Sequence, residues 1–199
     1  MTLFINCCPR DNSRTEFLAR KLLAKLGEYE EINPEKEHIQ PLNRERLEYR
    51  TELINKNDYS DGIFKYAKQF AAADKIVIAA PFWDLSFPAI LKIYIENIFV
   101  IGIVSRYSDD GKPQGLCKAT DLYYVTTAGG AYNEKYSFDY IKDLAENCFG
   151  IKNSHLIKAE MLDICGNDPR QILEERIKAI PHRDCAHIAP SDFSADCTN

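Results

Sequence analysis

The 199-residue sequence predicts an open α/β domain, with five parallel strands in the order 2-1-3-4-5 and helices on both faces of the sheet. Three observations predict it. Short apolar runs alternate along the chain with longer segments whose apolar residues recur at helical spacing. Two of those runs, Ile76-Val77-Ile78-Ala79-Ala80 and Leu122-Tyr123-Tyr124-Val125, are continuously apolar, as strands buried on both faces are. Both lead directly into loops of special composition, Pro81-Phe82-Trp83-Asp84 and Thr126-Thr127-Ala128-Gly129-Gly130. In an open α/β sheet, ligands sit at the carboxyl ends of strands, so the stretch from Pro81 to Tyr132 reads as a binding edge.

The elements follow in order. Leu3 to Asn6 is the first strand. A helix starts at Asn12 to Glu16, where Ser13 with Glu16 three residues on fits a capping box. Phe17, Leu18, Leu22, Leu23 and Leu26 then fall at helical spacing, and Gly27 ends the helix. Glu28 to Ile32 is weakly apolar and reads as a second strand at the sheet edge. Asn33 to Ser60 is polar and charged, with a short helix placed near Arg44 to Leu53. Gly62 to Ala73 is a helix with Ile63, Tyr66, Ala67 and Phe70 on one face, and Asp74 to Ala80 is the third strand.

Pro88 fits the first turn of the next helix, where a missing N–H costs nothing. That helix carries Ile90, Leu91, Tyr94, Ile95, Ile98 and Phe99, a wide apolar surface that suits either a thick core contact or a dimer interface. Asp109-Asp110-Gly111 marks a hairpin between Ser105 and Leu116. Asp121 to Thr126 is the fourth strand, Phe138 to Phe149 a helix closed by Gly150, His155 to Ala159 the fifth strand, and Pro169 to Ala179 the last helix. One domain over 1–180 and a C-terminal tail over 181–199 are expected.

Apolar residues make up 45% of the chain, enough for a sizeable core, and the net charge of -5 comes with no basic block of the kind nucleic-acid binding requires. The apolar runs fall short of the roughly 20 residues a membrane span needs, and the first residues lack a basic, then apolar, leader pattern. A cytosolic chain with reduced thiols is expected from its seven scattered cysteines. His182-x-x-Cys185-x-His187 and Cys197 lack a second ligand pair of standard spacing, so no metal site is expected there.

The loop from Cys7 to Thr15 joins the first strand to the first helix. A helix N-terminus offers free N–H groups and a positive dipole end, to which Ser13 and Thr15 add hydroxyls and Arg10 and Arg14 add charge. It is neither a Walker loop nor a dinucleotide G-x-G-x-x-G, so a mononucleotide phosphate without magnesium fits better than ATP. An ordinary capped helix with surface arginines is the competing reading. The same helix end acts to lower the pKa of a thiol placed like Cys8, but no redox role is expected for it. In the second loop, backbone amides beside Phe82 and Trp83, the chain's single tryptophan, suit the edge of a flat ring; the alternative is packing beneath the loop. In the third, Gly129-Gly130 either admits a ring close to the backbone or is a plain turn.

Taken together, these pieces resemble a known family. Ala73 to Pro81, Trp83-Asp84, Pro88-Ala89-Ile90-Leu91-Lys92, Ile101-Gly102, Arg106-Tyr107-Ser108, Asp110-Gly111, Gly115-Leu116 and Thr127 with Gly129-Gly130 match in order and spacing. The resemblance is to the NAD(P)H-dependent FMN oxidoreductases of the azoreductase and quinone reductase type, in the flavodoxin-like superfamily. It implies a flavodoxin-like fold, FMN as cofactor, NADH or NADPH as electron donor, and a homodimer with two active sites at the subunit interface. It also implies ping-pong transfer of two electrons to a small quinone, azo or nitroaromatic acceptor. Arg10, Ser13 and Thr15 would hold the phosphate; Phe82, Trp83, Asp84 and Leu85 would line the isoalloxazine. Thr127, Gly129 and Gly130 would contact the far part of the ring system, and Tyr132 would cover it. Because the flavin N5 carries the chemistry, no side chain is named catalytic.

Two departures stand out: Asp84 where the family usually has Asn, and Ala128 where some members have Arg. A carboxylate at 84 can accept from the flavin N3–H but opposes charge on the reduced ring, lowering its potential unless protonated or turned away. The rival readings are an FAD-using quinone reductase, a flavodoxin-like electron carrier or flavin module without its own NAD(P)H oxidation, and a flavin-free binding protein. Against the carrier stands a first loop poor in Thr and Gly.

Overall fold

The two continuously apolar runs become the middle of the sheet. A computed structural model describes residues 1–180, so the expected tail and its His182, Cys185, His187 and Cys197 lie outside the described residues. In chain order the strands are β1 (Thr2–Asn6), β2 (Tyr29–Ile32), β3 (Lys75–Ala79), β4 (Ser105–Tyr107), β5 (Pro113–Gly115), β6 (Asp121–Thr127) and β7 (Asn153–Ala159). The α-helices are α1 (Arg14–Leu26), α2 (Arg44–Asn55), α3 (Lys65–Ala72), α4 (Ala89–Ile98), α5 (Phe138–Leu144) and α6 (Pro169–Ala179). The main sheet has the order β2-β1-β3-β6-β7, with every neighbouring pair parallel. This is the predicted 2-1-3-4-5 order, renumbered by the small antiparallel hairpin β4-β5 that the Asp-Gly signal anticipated.

Successive strand residues face opposite sides, which splits the core in two. Leu3, Ile5, Ile76, Ile78, Leu122 and Tyr124 pack on one face against Phe70, Leu91, Tyr94, Ile98 and Ile141 from α3, α4 and α5. Phe4, Val77, Ala79 and Val125 pack on the other against Leu18, Leu22, Leu23 and Leu173 from α1 and α6. Edge strand β2 buries only Ile32, which is why its sequence is so weakly apolar. The wide apolar surface of α4 is used within the chain: Leu91, Tyr94, Ile95 and Ile98 are buried, and Asn97 donates to the carbonyls of Gln40 and Ile93 at 3.0 and 2.9 Å.

Differences from expectation are local and have physical causes. Ser13 does cap α1, accepting from the Glu16 N–H at 3.3 Å, but the Glu16 carboxylate pairs with Arg20 instead of reaching back. Pro88 sits one position before the helix, as the N-cap residue of α4. The helix expected from Gly62 to Ala73 opens as a 3-10 turn, Gly62–Phe64, capped by the Asp61 carboxylate. The helix expected up to Phe149 leaves the α conformation after Leu144 and ends in a π turn, Ala145–Phe149, closed by Gly150 at φ +78°. β7 starts at Asn153 because pairing with β6 from Asp121 onward, not hydrophobicity, defines it. No helix among the described residues is long and apolar enough to cross a membrane.

The hairpin is docked by a close glycine contact. A Cβ built on Gly115 would lie 2.0 Å from the backbone N of Gly150 and from the carbonyl carbon of Phe149. Both obstacles are main chain, so nothing soft can give way. Gly115→Ala is therefore expected to destabilise the protein by about 1–3 kcal/mol, the usual scale of overpacking, read as a lowered urea midpoint with an unchanged slope.

Candidate functional site at the carboxyl edge of the sheet

Strand pairing continues past the strand ends and sets the loops side by side. Cys7 N donates to Ala79 O at 2.9 Å, Ala80 N to Val125 O at 3.1 Å, Phe82 N to Thr127 O at 3.1 Å and Ala128 N to Ala159 O at 2.9 Å. The loops after β1, β3, β6 and β7 are thereby fixed relative to one another. A side-chain bond ties the first to the third: the hydroxyls of Thr15 and Thr127, both buried, meet at 2.6 Å.

In the first loop, the main-chain N–H groups of Arg14 and Thr15, in the opening turn of α1, have no acceptor among the described residues. Such orphan donors are the chemical basis of anion binding at a helix N-terminus. Ser13 caps the helix, and the Arg10 guanidinium lies 5.7 Å from the centre of the Trp83 ring, within cation–π range. Arg14 is differently employed: it grips the Asp163 carboxylate with two hydrogen bonds, Nη1 to Oδ1 at 2.9 Å and Nη2 to Oδ2 at 3.2 Å. The helix end does not lower the pKa of Cys8. Its thiol is buried against the Ala79 carbonyl, and burial pushes it up to about 12, outweighing the hydrogen bond from the Ser13 side.

The second loop is a tight reversal. Trp83 N donates to Ser86 O at 3.0 Å and Ser86 N returns to Trp83 O at 2.8 Å, while Asp84 and Leu85 between them have φ of +50° and +66°. Two left-handed residues in a two-residue hairpin define a type I′ turn. The amides of Phe82 and Trp83 are thus committed to the protein, and those of Asp84 and Leu85 have no acceptor among the described residues. The turn is tethered from behind by Ser86 Oγ, which donates to Tyr136 O at 2.6 Å.

The third loop presents its carbonyls to one neighbour. Ala128, Gly129 and Gly130 accept from the N–H groups of Leu162, Asp163 and Met161, at 3.2, 2.9 and 2.9 Å. The N–H groups of Gly129 and Gly130 have no acceptor among the described residues. Tyr132 lies behind Phe82, its ring edge-to-face at 4.8 Å, its hydroxyl 2.7 Å from Ser137 Oγ and its N–H donating to Glu160 at 2.7 Å.

Together the loops enclose a crevice of about 230 Å³. Of the residues expected there, Arg10, Ser13, Thr15, Phe82, Trp83, Thr127 and Gly129 line it. Asp84 and Leu85, at the exposed turn tip, and Gly130 and Tyr132 are outside the lining. Asp163 lines it without having been anticipated, beside Asn12, Arg14 and Pro81 from the expected first and second loops. The strand order itself pointed to Asp163, because the loop after the fifth strand must lie beside the loop after the fourth. Among the described residues, no cluster of His, Cys, Asp and Glu could hold a metal ion.

A doubly wound parallel sheet with its crevice at the β1/β3 reversal defines a class, and the comparisons agree with it. The chain belongs to the family of the flavodoxin-like fold, whose model matches residues 1–181. Within it, the chain is similar to the FMN-dependent NADH:quinone oxidoreductase of Clostridium beijerinckii, 38% identical over 184 residues that cover 86% of this chain and 90% of that one. The enzyme of that name from Coprothermobacter proteolyticus is 32% identical over 193 residues, covering 88% and 94%. In structure, an azoreductase from Bacillus anthracis superposes with a TM-score of 0.77 at 21% identity, covering 90% of this chain and 95% of that one. An FMN-dependent NADH-azoreductase of the same species, solved in complex with FMN, gives 0.74 at 21% identity over the same shares. At that identity the two structures show the fold.

The Thr15–Thr127 bond yields a test of how the loops are joined. Thr127→Val leaves the buried Thr15 hydroxyl without a partner and is expected to cost about 1–3 kcal/mol, whereas the double variant Thr15→Val/Thr127→Val recovers most of that loss. A double-mutant cycle by urea denaturation measures the coupling; additive effects would mean the two hydroxyls do not hold the loops together.

Proposed function

We propose that this protein is an FMN-dependent NADH oxidoreductase that passes two electrons to quinone or azo acceptors. The observation that carries the reading is the joint content of one crevice: orphan amides at a helix N-terminus, an aromatic wall, and glycine amides, in a chain similar along most of its length to FMN-dependent NADH:quinone oxidoreductases. The donor set fits a flavin mononucleotide. The Arg14 and Thr15 amides, with the Ser13 hydroxyl and the Arg10 charge, suit a phosphate, and no glycine-rich dinucleotide loop extends the site toward an adenylate.

When bound, FMN supplies the capacity to accept two electrons from a nicotinamide and release them to a second substrate. The chain's own part is binding and orientation. Phe82 and Trp83 form the wall beside which a flat ring lies, and Tyr132, anchored to Ser137 and Glu160, holds Phe82 in place from behind. The Gly129 amide in the lining, and those of Asp84, Leu85 and Gly130 outside it, have no acceptor among the described residues and are the donors available to carbonyl and ring-nitrogen atoms. Thr15 contributes through Thr127, holding the first and third loops at a fixed separation.

The crevice is open to solvent rather than an enclosed cavity. That supports a homodimer in which a second copy closes the ring face and donor and acceptor enter the same opening in turn. The absence of a membrane-crossing helix among the described residues is compatible with work in the cytoplasm.

Anaerobic spectroscopy separates this reading from an electron carrier. The protein reconstituted with FMN is expected to lose its visible flavin absorbance on adding one equivalent of NADH and to regain it on adding benzoquinone. Absorbance that persists with NADH and falls only when a separate flavin reductase is supplied would make the protein a carrier.

A further inference from the structure

One charged group in the crevice has no place in phosphate binding. Asp163 follows β7 and puts a carboxylate on the wall shared with the phosphate loop. It is built into position. Its N–H donates to Gly129 O at 2.9 Å, and both its oxygens accept from Arg14, at 2.9 and 3.2 Å. A Cβ on Gly129 would lie 2.3 Å from Asp163 Oδ2, so the missing side chain at 129 is what admits the carboxylate. Hydrogen bonds from the Arg14 guanidinium lower the acid's pKa from its ordinary value, and it is ionised at neutral pH.

An ionised carboxylate repels a phosphate and accepts hydrogen bonds from hydroxyls. Its two oxygens offer about four lone-pair sites, and Arg14 uses one on each. The remaining capacity suits a polyol. The crevice runs from the α1 N-terminus to Phe82 and Trp83, and a flavin nucleotide spanning that distance places its ribityl chain between the two ends.

We propose that Asp163 is the polyol acceptor of this site, taking hydrogen bonds from ribityl hydroxyls, and that the Arg14 guanidinium positions it and does not bind the phosphate, which the Arg14 main-chain amide faces. The proposal rests on the flavin reading of the crevice. It also assigns Gly129 a second role, that of making room for the acid.

The test is a fluorescence titration of the full chain and its Asp163→Ala variant with FMN, riboflavin and lumiflavin, which lacks the ribityl chain. Circular dichroism checks that the variant is folded, as expected for an exposed loop side chain. Loss of charge-assisted hydrogen bonds in a solvent-facing site is expected to weaken FMN and riboflavin alike by about tenfold and to leave lumiflavin unchanged. FMN decides the matter where riboflavin binds too weakly to titrate. FMN affinity that is unchanged in the variant, or that increases because Arg14 is released toward the phosphate, overturns the role of Asp163 and leaves the flavin site standing. A wild-type chain that binds none of the three overturns the flavin reading and this proposal with it.

Discussion

Hydrogen bonding between neighbouring parallel strands, extended one or two residues beyond each strand, holds the rest of this structure in place. Asn6 pairs with Ala79 and Ala79 with Val125, and then Cys7, Ala80, Phe82 and Ala128 carry the same pattern into the loops. A parallel sheet puts all its carboxyl ends on one edge, and this extension converts that edge from a set of independent turns into one framework. A one-residue slip in β3 against β6 would turn Ile76 and Ile78 toward α1 and would displace Pro81, Phe82 and Trp83 from the first loop. Core packing and crevice geometry therefore depend on the same register.

The buried Thr15–Thr127 contact and the Arg14–Asp163 pair act on that framework from opposite levels. The first is buried and short and joins α1 to β6 in the crevice wall. The second is exposed and joins the start of α1 to the loop after β7 at its rim. An exposed ion pair contributes little to stability, so its interest lies in what it orients.

The strands and their order were legible because the central ones must be apolar on both faces, and because alternation with helices leaves few topologies. The helix caps at Ser13 and Gly27 were legible for equally local reasons. What escaped was set by tertiary contact. At Cys8 the pull of a helix end is visible in the sequence, but the burial against Ala79 that dominates its ionisation is not. The π turn after Leu144 answers to the docking of Gly115 on Gly150, which no periodicity announces. Tyr132, which the resemblance would set over the ring system, packs edge-to-face on Phe82 and is held there by Ser137 and Glu160, contacts that the sequence does not announce. Asp84 shows a further limit. Beyond any effect on a flavin, its φ of +50° in a type I′ turn selects for Asn, Asp or Gly. Leu85 beside it, at +66°, carries about 1–2 kcal/mol of backbone strain at the crevice mouth.

The central claim is that three loops far apart in sequence form one flavin site with Trp83 in its wall. Trp83 is the chain's only tryptophan, so its emission reports on that wall alone. Titration with FMN should quench tryptophan emission to a plateau at one FMN per chain, and Trp83→Phe should abolish the signal while keeping flavin binding. Emission that ignores added FMN, in a protein whose circular dichroism shows it folded, would contradict the claim.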